Sequence, residues 1–116
     1  MGLTEGSSVG EQKERMLAGE LYIADDPELA ADALRAALLT EKYNASSAAD
    51  PDARRALLEE LFDSIGDDVE IRPPLQVDYG YRITVGNGTF VNFGAIMLDV
   101  APITIGSDVQ IGPNVQ

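Results

Sequence analysis

Residues 65–116 read in blocks of six, each opening on an apolar side chain: IGDDVE (65–70), IRPPLQ (71–76), VDYGYR (77–82), VGNGTF (85–90), VNFGAI (91–96), MLDVAP (97–102), IGSDVQ (105–110) and IGPNVQ (111–116). Two pairs, Ile83-Thr84 and Ile103-Thr104, interrupt the count. Blocks that open Ile-Gly or Val-Gly recur at positions 65, 85 and 105, so a period of about twenty residues overlies the period of six. This internal repeat is the strongest pattern in the chain.

A six-residue period matches neither an amphipathic helix, which repeats every three to four residues, nor a half-buried strand, which repeats every two. It matches a short strand followed by a turn, because Gly, Asn and Asp favour turns and β-branched residues favour extended backbone. Three such units plus a two-residue excursion form one turn of a parallel β-helix, whose stacked turns bury the opening side chains. The alternative is a set of hairpins, but their turn signals are usually spaced at about eight to twelve residues.

The composition excludes several classes of site. The 116 residues contain no cysteine, which removes disulfides and thiolate chemistry, and no histidine. A net charge of −12 argues against binding nucleic acid through its phosphates or binding an anionic membrane surface. No stretch has the length of a transmembrane helix and no apolar signal core is present, so we predict a cytoplasmic protein. Fourteen of the twenty acids precede Ile65, which indicates either a solvated surface or adaptation to high salt.

The chain before the repeat predicts a helical segment. We expect residues 1–10 to be disordered, residues 11–63 to be helical and residues 64–116 to form the repeat. A first helix is predicted from Glu11 to Ala18. Asp26-Pro27 and Asp50-Pro51 are N-cap and first-turn signals for two further helices.

Each of the two later helices has a predicted apolar face, and the second should cap the first coil, which would otherwise expose its apolar column. The sequence stops at Gln116 within the third coil, so we expect the front part of a longer protein. The predicted faces are Leu29, Ala33, Leu34, Ala37 and Leu38, and then Ala53, Leu57, Leu58, Leu61 and Phe62.

Several local motifs resemble those of the maltose and galactoside O-acetyltransferases. The resemblance implies an α+β fold: an N-terminal helical segment followed by a left-handed parallel β-helix, truncated here in the third coil. It also implies a homotrimer that transfers acetyl from acetyl-CoA to a sugar hydroxyl. The motifs are RMLAGELY (15–22), DPEL (26–29), IRPP (71–74), DYGY (78–81), VNF (91–93), LD (98–99) and IGPNV (111–115).

The resemblance further implies an active site between subunits, with a histidine as the general base on the acceptor hydroxyl. A base is needed because a neutral hydroxyl is a poor nucleophile at pH 7, and imidazole titrates in the useful range. This chain contains no histidine. We therefore assign no catalytic residue, expect most of the acetyl-CoA site to be missing, and expect the 116-residue chain to be inactive.

The acceptor-binding candidates carried by the resemblance are Asn92, Asp99, Asp78 and Asp25. The amide and the carboxylates could hydrogen-bond sugar hydroxyls. The alternative for Asn92 and Asp78 is a residue at a tight coil corner, and for Asp99 a solvated turn residue. Tyr79 and Tyr81 could stack on a sugar, and the alternative is that both rings pack at a coil edge. No spacing of acids predicts a metal site.

Three functions remain open from the sequence. The first is a sugar O-acetyltransferase represented by its N-terminal part. The second is a non-catalytic trimeric scaffold or binding module that lacks the base. The third is an acyltransferase for another hydroxyl or amine acceptor.

Overall fold

The structure, a computed structural model, describes residues 26–116. The predicted helix from Glu11 to Ala18, the motif at 15–22 and Asp25 lie outside the described residues. Two helices precede eight short strands. They are α1 (Pro27–Asn44), α2 (Pro51–Leu61), β1 (Ser64–Ile65), β2 (Glu70–Ile71), β3 (Leu75–Val77), β4 (Ile83–Val85), β5 (Phe90–Val91), β6 (Ala95–Met97), β7 (Ile103–Ile105) and β8 (Gln110–Ile111).

Both helices begin where the sequence predicts. The Asp26 carboxylate accepts hydrogen bonds from the backbone N–H groups of Glu28, at 2.9 Å, and Leu29. The Asp50 carboxylate accepts one from Ala53 N–H at 3.2 Å. A proline follows each cap, where its missing N–H costs nothing. Neither helix in this part of the chain is long and apolar enough to cross a membrane.

The prediction of which α1 residues are buried is largely wrong, since Leu29 is the one member of the predicted face that is buried. Leu34 and Leu38 are 60% and 50% exposed. The helix carries Ala or Leu on every side, so its periodicity specifies no single face, and contact with α2 and β3 decides which side is covered. The α2 prediction holds for Leu58, Leu61 and Phe62, whereas Ala53 is exposed. The buried residues of α1 are Leu29, Ala36, Leu39, Thr40 and Tyr43.

The strands form three parallel ladders in the orders β1-β4-β7, β2-β5-β8 and β3-β6. Each of the strands β1 to β5 pairs with the strand twenty residues further on, as in Ile65 with Val85 and Ile83 with Ile103. The period of about twenty is therefore confirmed as the register of the ladders. Parallel pairing of successive coils on three faces is the arrangement expected of a parallel β-helix.

The two additional residues of each coil lie in a corner and not at Ile83-Thr84 or Ile103-Thr104, which belong to β4 and β7. The corners after β1 and β4 are residues 66–69 and 86–89, and those after β2 and β5 are 72–74 and 92–94. The corners after β3 and β6, at 78–82 and 98–102, are longer than either. We call residues 78–82 the upper long corner and residues 98–102 the lower long corner.

The opening residues of the blocks pack into a shared core, as predicted. Val91 is 0% exposed and Ile71 2%. Burial of such a side chain stabilises the fold by about 1.5–3 kcal/mol. The helices close the same core, because Leu58, Leu61 and Phe62 belong to its cluster.

Among residues 26–116 no coil precedes the first one, and side chains from the helices pair with it on all three faces. On β1, Arg55 donates to the carbonyls of Ile65, at 3.0 Å, and Gly66. On β2, the Tyr43 hydroxyl donates to the Ile71 carbonyl, and burial raises the pKa of Tyr43 to about 12, so it stays a donor.

On β3, the Asn44 side chain imitates a neighbouring strand. Its Oδ1 accepts from Leu75 N–H at 2.8 Å and its Nδ2 donates to the Leu75 carbonyl at 3.0 Å. Backbone groups left unpaired in a buried place are costly, so these contacts stabilise the edge that the coil would otherwise leave open.

Replacing Asn44 by alanine should therefore destabilise the protein. Both polar groups of the fully buried Leu75 lose their partner, and we expect the free energy of unfolding to fall by about 1–3 kcal/mol. Urea denaturation measures the change, and amide hydrogen exchange at Leu75 should accelerate. Gln76→Ala, at an exposed position of the same strand, is the control and should change stability by less than about 0.5 kcal/mol. Equal stabilities of the two variants would contradict the capping role.

Candidate functional site

The upper long corner is held from below by the carboxylate of Asp99. Its Oδ1 accepts from Tyr79 N–H at 2.8 Å and its Oδ2 accepts from Arg82 N–H at 3.1 Å. The Asp99 side chain is completely buried, at 0% exposure. Hydrogen bonds to an ionised acceptor are about twice as strong as neutral ones. Asp99 thus fixes the backbone of the corner one coil above its own.

The interpretation of Asp99 as a solvated turn residue is wrong, because no part of it reaches solvent. In this conformation both of its oxygens bind backbone N–H groups. A direct contact between Asp99 and a sugar stays a prediction, and the geometry gives the residue a second way to act, through the corner that it holds.

Asp78 begins the upper long corner and is partly buried. Its pKa is raised above the usual value, first by burial and then by the negative charge of Asp99. Asp78 therefore accepts a proton more readily than an exposed aspartate, and it can serve as either a donor or an acceptor towards a hydroxyl as the pH changes.

Two tyrosines join the same corner to helix α1. The rings of Tyr79 and Tyr81 stack with centroids 5.7 Å apart and planes inclined by 10°. Tyr79 packs against Leu29, and the Tyr81 hydroxyl donates to Asp32 Oδ2 at 2.9 Å. Burial, followed by the bond to Asp32, raises the pKa of Tyr81. Tyr79 is 8% exposed, which favours packing over sugar stacking for this ring.

Asn92 lies at a different corner from the two aspartates. Its Oδ1 accepts from Phe93 N–H at 2.9 Å. Strand β6 separates it from Asp99, and three residues of strand span roughly 10 Å. One chain therefore brings Asp78 and Asp99 together at one end of β6 and places Asn92 at the other end. Asp25 lies outside the described residues.

Two residues near the corner are absent from the sequence-based predictions. Asp32 binds the Tyr81 hydroxyl, and the Arg82 guanidinium lies 5.7 Å from the Tyr81 ring centroid. One signal was available for Arg82. Arg82 follows Tyr81, which occupies the fifth place of its six-residue block. The other blocks have Val, Leu, Ala or Thr in that place. Asp32 gives no such signal, because its partner is distant in sequence.

Within the described ranges, no group of three or more acidic side chains is placed to hold a metal ion. An apolar cavity of about 420 Å³ lies beside the last coil. Its lining includes Met97, Ile105 and Ile111 and none of the candidate acceptor residues.

Replacing Asp99 by asparagine should loosen the upper long corner. An amide offers one acceptor oxygen, so its NH₂ group would face a backbone N–H. We expect unfolding free energy to fall by about 1–3 kcal/mol and amide exchange at Tyr79 or Arg82 to accelerate. Asp108→Asn, at an exposed aspartate, is the control. Unchanged exchange in Asp99→Asn would refute the clamp.

The raised pKa of Asp78 predicts a pH-dependent effect on stability. Because the folded state favours the protonated carboxyl, folding is helped below the unfolded-state pKa, and that help is lost as pH rises through the folded-state pKa. Asp78→Asn cannot ionise, so its melting temperature should match the wild type well below the usual aspartate pKa of 3.8, rise above it as the pH passes through the folded-state pKa, and then level off. Thermal melts across this range measure the difference, and a constant difference would contradict the shift.

Three comparisons bear on this geometry. Residues 15–66 match the maltose acetyltransferase hexapeptide capping motif. Nodulation protein L of Rhizobium meliloti is 43% identical over 105 residues, which are 90% of this chain and 57% of that protein.

Two solved structures are also similar to this chain. A maltose O-acetyltransferase from Clostridium difficile superposes with a TM-score of 0.87 at 36% identity, over 89% of this chain and 55% of that one. A galactoside acetyltransferase in complex with coenzyme A gives 0.82 at 30% identity, over 88% and 51%. The chain thus spans about half the length of the relatives that it matches.

Proposed function

The chain belongs to the maltose and galactoside O-acetyltransferase family of hexapeptide-repeat proteins, and on that premise we propose that it carries the acceptor side of an acetyl-CoA-dependent sugar O-acetyltransferase. The observation that carries the proposal is the structural agreement with an acetyltransferase bound to coenzyme A. The proposed assembly is a cytoplasmic homotrimer of left-handed parallel β-helices, whose acceptor sites lie between subunits.

In the proposed reaction the acceptor hydroxyl oxygen bonds to the thioester carbonyl carbon, the carbon–sulfur bond breaks, and a base removes the hydroxyl proton. Acetyl-CoA supplies the activated acetyl group. Four of the described arginines, Arg35, Arg54, Arg55 and Arg72, donate to groups of their own chain and are not free to hold the charged part of this coenzyme. The contribution that can be argued for this chain is therefore on the acceptor side.

On the acceptor side, Asp78 and Asn92 are proposed to bind sugar hydroxyls, with Asp25 approaching from the helical segment. Asp99 is proposed to act mainly by holding the upper long corner, since both of its oxygens already bind backbone. The separation of Asn92 from Asp78 along β6 supports a site between copies, where corners of two chains can face one acceptor.

The general base is not among these residues, because the 116 residues contain no histidine. The same observation favours the second candidate function, a non-catalytic trimeric scaffold or binding module with the same acceptor corner. Both candidate functions require acceptor binding, and only the first requires catalysis. An assay of acetyl transfer therefore distinguishes the two candidates, and an assay of sugar binding distinguishes both from an unrelated function.

We expect the 116-residue chain to bind a neutral sugar such as maltose or methyl galactoside without acetylating it. Release of coenzyme A thiol from acetyl-CoA should stay at the level of the protein-free blank. NMR titration should show saturable sugar binding. Asn92→Ala should raise the Kd about ten-fold, which is the effect expected from the loss of one or two hydrogen bonds.

The matched control is Gln110→Ala, which removes an exposed amide from β8 and should bind as the wild type does. Thiol release above the blank would contradict the inactivity of the chain. An absence of binding to any sugar would overturn the acceptor function itself.

A further inference from the structure

Phe93 is the one exposed aromatic residue in the part of the chain that the structure describes, with 46% of its surface open to solvent. Tyr79 and Tyr81 stack on each other and Phe90 lies under a guanidinium, whereas among residues 26–116 no ring stacks on Phe93 and no cation lies over it. An isolated exposed leucine such as Leu34 is ordinary. A large aromatic face left open beside a proposed binding residue calls for a specific explanation. The other aromatic residues in this range are buried or half-buried, and they are Tyr43, Phe62, Tyr79, Tyr81 and Phe90.

The corner that carries Phe93 is fixed by hydrogen bonds within it and to the coils on either side. Phe93 N–H donates to Asn92 Oδ1 at 2.9 Å, and the Phe93 carbonyl accepts from Asn114 N–H at 3.0 Å. The next residue, Gly94, donates its N–H to the Pro74 carbonyl at 2.9 Å. Both backbone polar groups of Phe93 are therefore bound, and its side chain starts from a backbone that needs little ordering when a ligand arrives.

Asn92 and Phe93 present complementary groups at this corner. The Asn92 side-chain oxygen accepts from the Phe93 backbone, so its NH₂ group remains to donate to a sugar hydroxyl. The Phe93 side chain offers an apolar face. A pyranose ring has the same division, because its hydroxyls lie around its rim while its face exposes C–H groups.

The surroundings of Phe93 are apolar and nearly uncharged. The twenty-residue register places Pro73 and Pro113 at the equivalent position of the coils on either side, so a row of three rings follows this edge of the β-helix. Neighbouring strands lie roughly 4.8 Å apart, so the row spans about 10 Å, more than the width of one sugar ring. In the three corners of this edge Arg72 is the one charged residue, and it pairs with Glu70. A neutral ligand with a flat apolar face suits such a surface.

We propose that Phe93 is the stacking residue of the acceptor site, and that the acceptor is a neutral pyranoside whose C–H face lies on this ring while Asn92 binds a hydroxyl at its rim. This inference rests on the proposed acceptor function and adds the residue and the sugar face that determine its specificity. The π face of an aromatic ring is negative and the C–H hydrogens of a sugar are weakly positive, so the contact gains attraction as well as burial of apolar surface. An open-chain polyol has similar hydroxyls but no rigid face to place on the ring.

The experiment is an NMR titration of the 116-residue chain with methyl β-galactoside and with galactitol, the open-chain polyol. We expect the pyranoside to bind about five- to ten-fold more tightly than galactitol. The C–H protons of the pyranoside that face the ring should shift upfield, a signal that a purely structural role of Phe93 would not produce. Phe93→Leu, which keeps an apolar side chain without a ring, should abolish the upfield shifts and most of the preference.

Phe93→Trp supplies an independent measurement, because the chain contains no tryptophan and the new indole is then its only one. This variant should keep the preference for the pyranoside, and its fluorescence should change saturably as the sugar binds. Leu34→Trp is the matched control, since it places an indole at a position of α1 that is 60% exposed, and its fluorescence should not respond.

Equal binding of the pyranoside by Phe93→Leu and by the wild type would overturn this inference and leave the acceptor function standing. Dissociation of a wild-type oligomer by Phe93→Leu in sedimentation experiments would overturn it too, because the ring would then be a contact between copies of the chain. Failure of the wild type to bind any sugar would overturn both proposals.

Discussion

The open edge of the first coil is the constraint on which the rest of the structure depends. A stack of parallel coils satisfies its backbone groups by pairing each coil with the next, and in the part of the chain that the structure describes no coil precedes the first one. Here Arg55, Tyr43 and Asn44 supply donors and an acceptor to β1, β2 and β3 in turn. The helices are therefore not an independent unit joined to a solenoid. They complete its hydrogen bonding and its core at one end.

The same requirement connects the cap to the candidate site. Helix α1 carries Tyr43 and Asn44 in its last turn, where they close the first coil, and Asp32 nearer its start, where it binds Tyr81 of the upper long corner. A change that shifts α1 would thus move both the coil edge and the corner. The orientation of the proposed acceptor residues therefore depends on how α1 packs against the first coil.

The long corner illustrates how one buried charge can organise a surface. Asp99 is withdrawn from solvent, and the cost of that burial is offset because both oxygens accept backbone N–H groups. Burial and then the negative charge of Asp99 raise the pKa of Asp78. The bond from Arg82 N–H to Asp99 holds the residue whose side chain lies over Tyr81. A buried carboxylate can therefore order a surface corner through its backbone contacts.

The sequence by itself determined the architecture, because a covalent period of about twenty residues becomes the register of the ladders, as in Ile83 with Ile103. It also determined the helix starts, since Asp26-Pro27 and Asp50-Pro51 act on groups within the next turn. Only the tertiary structure decided that Leu34 and Leu38 face outward, because an alanine-rich helix takes its buried side from its neighbours. The contacts of Asn44 with Leu75 and of Asp99 with the corner likewise join residues seventeen to thirty-one positions apart. No local pattern encodes such pairs, because packing brings their partners together only after the coils have formed.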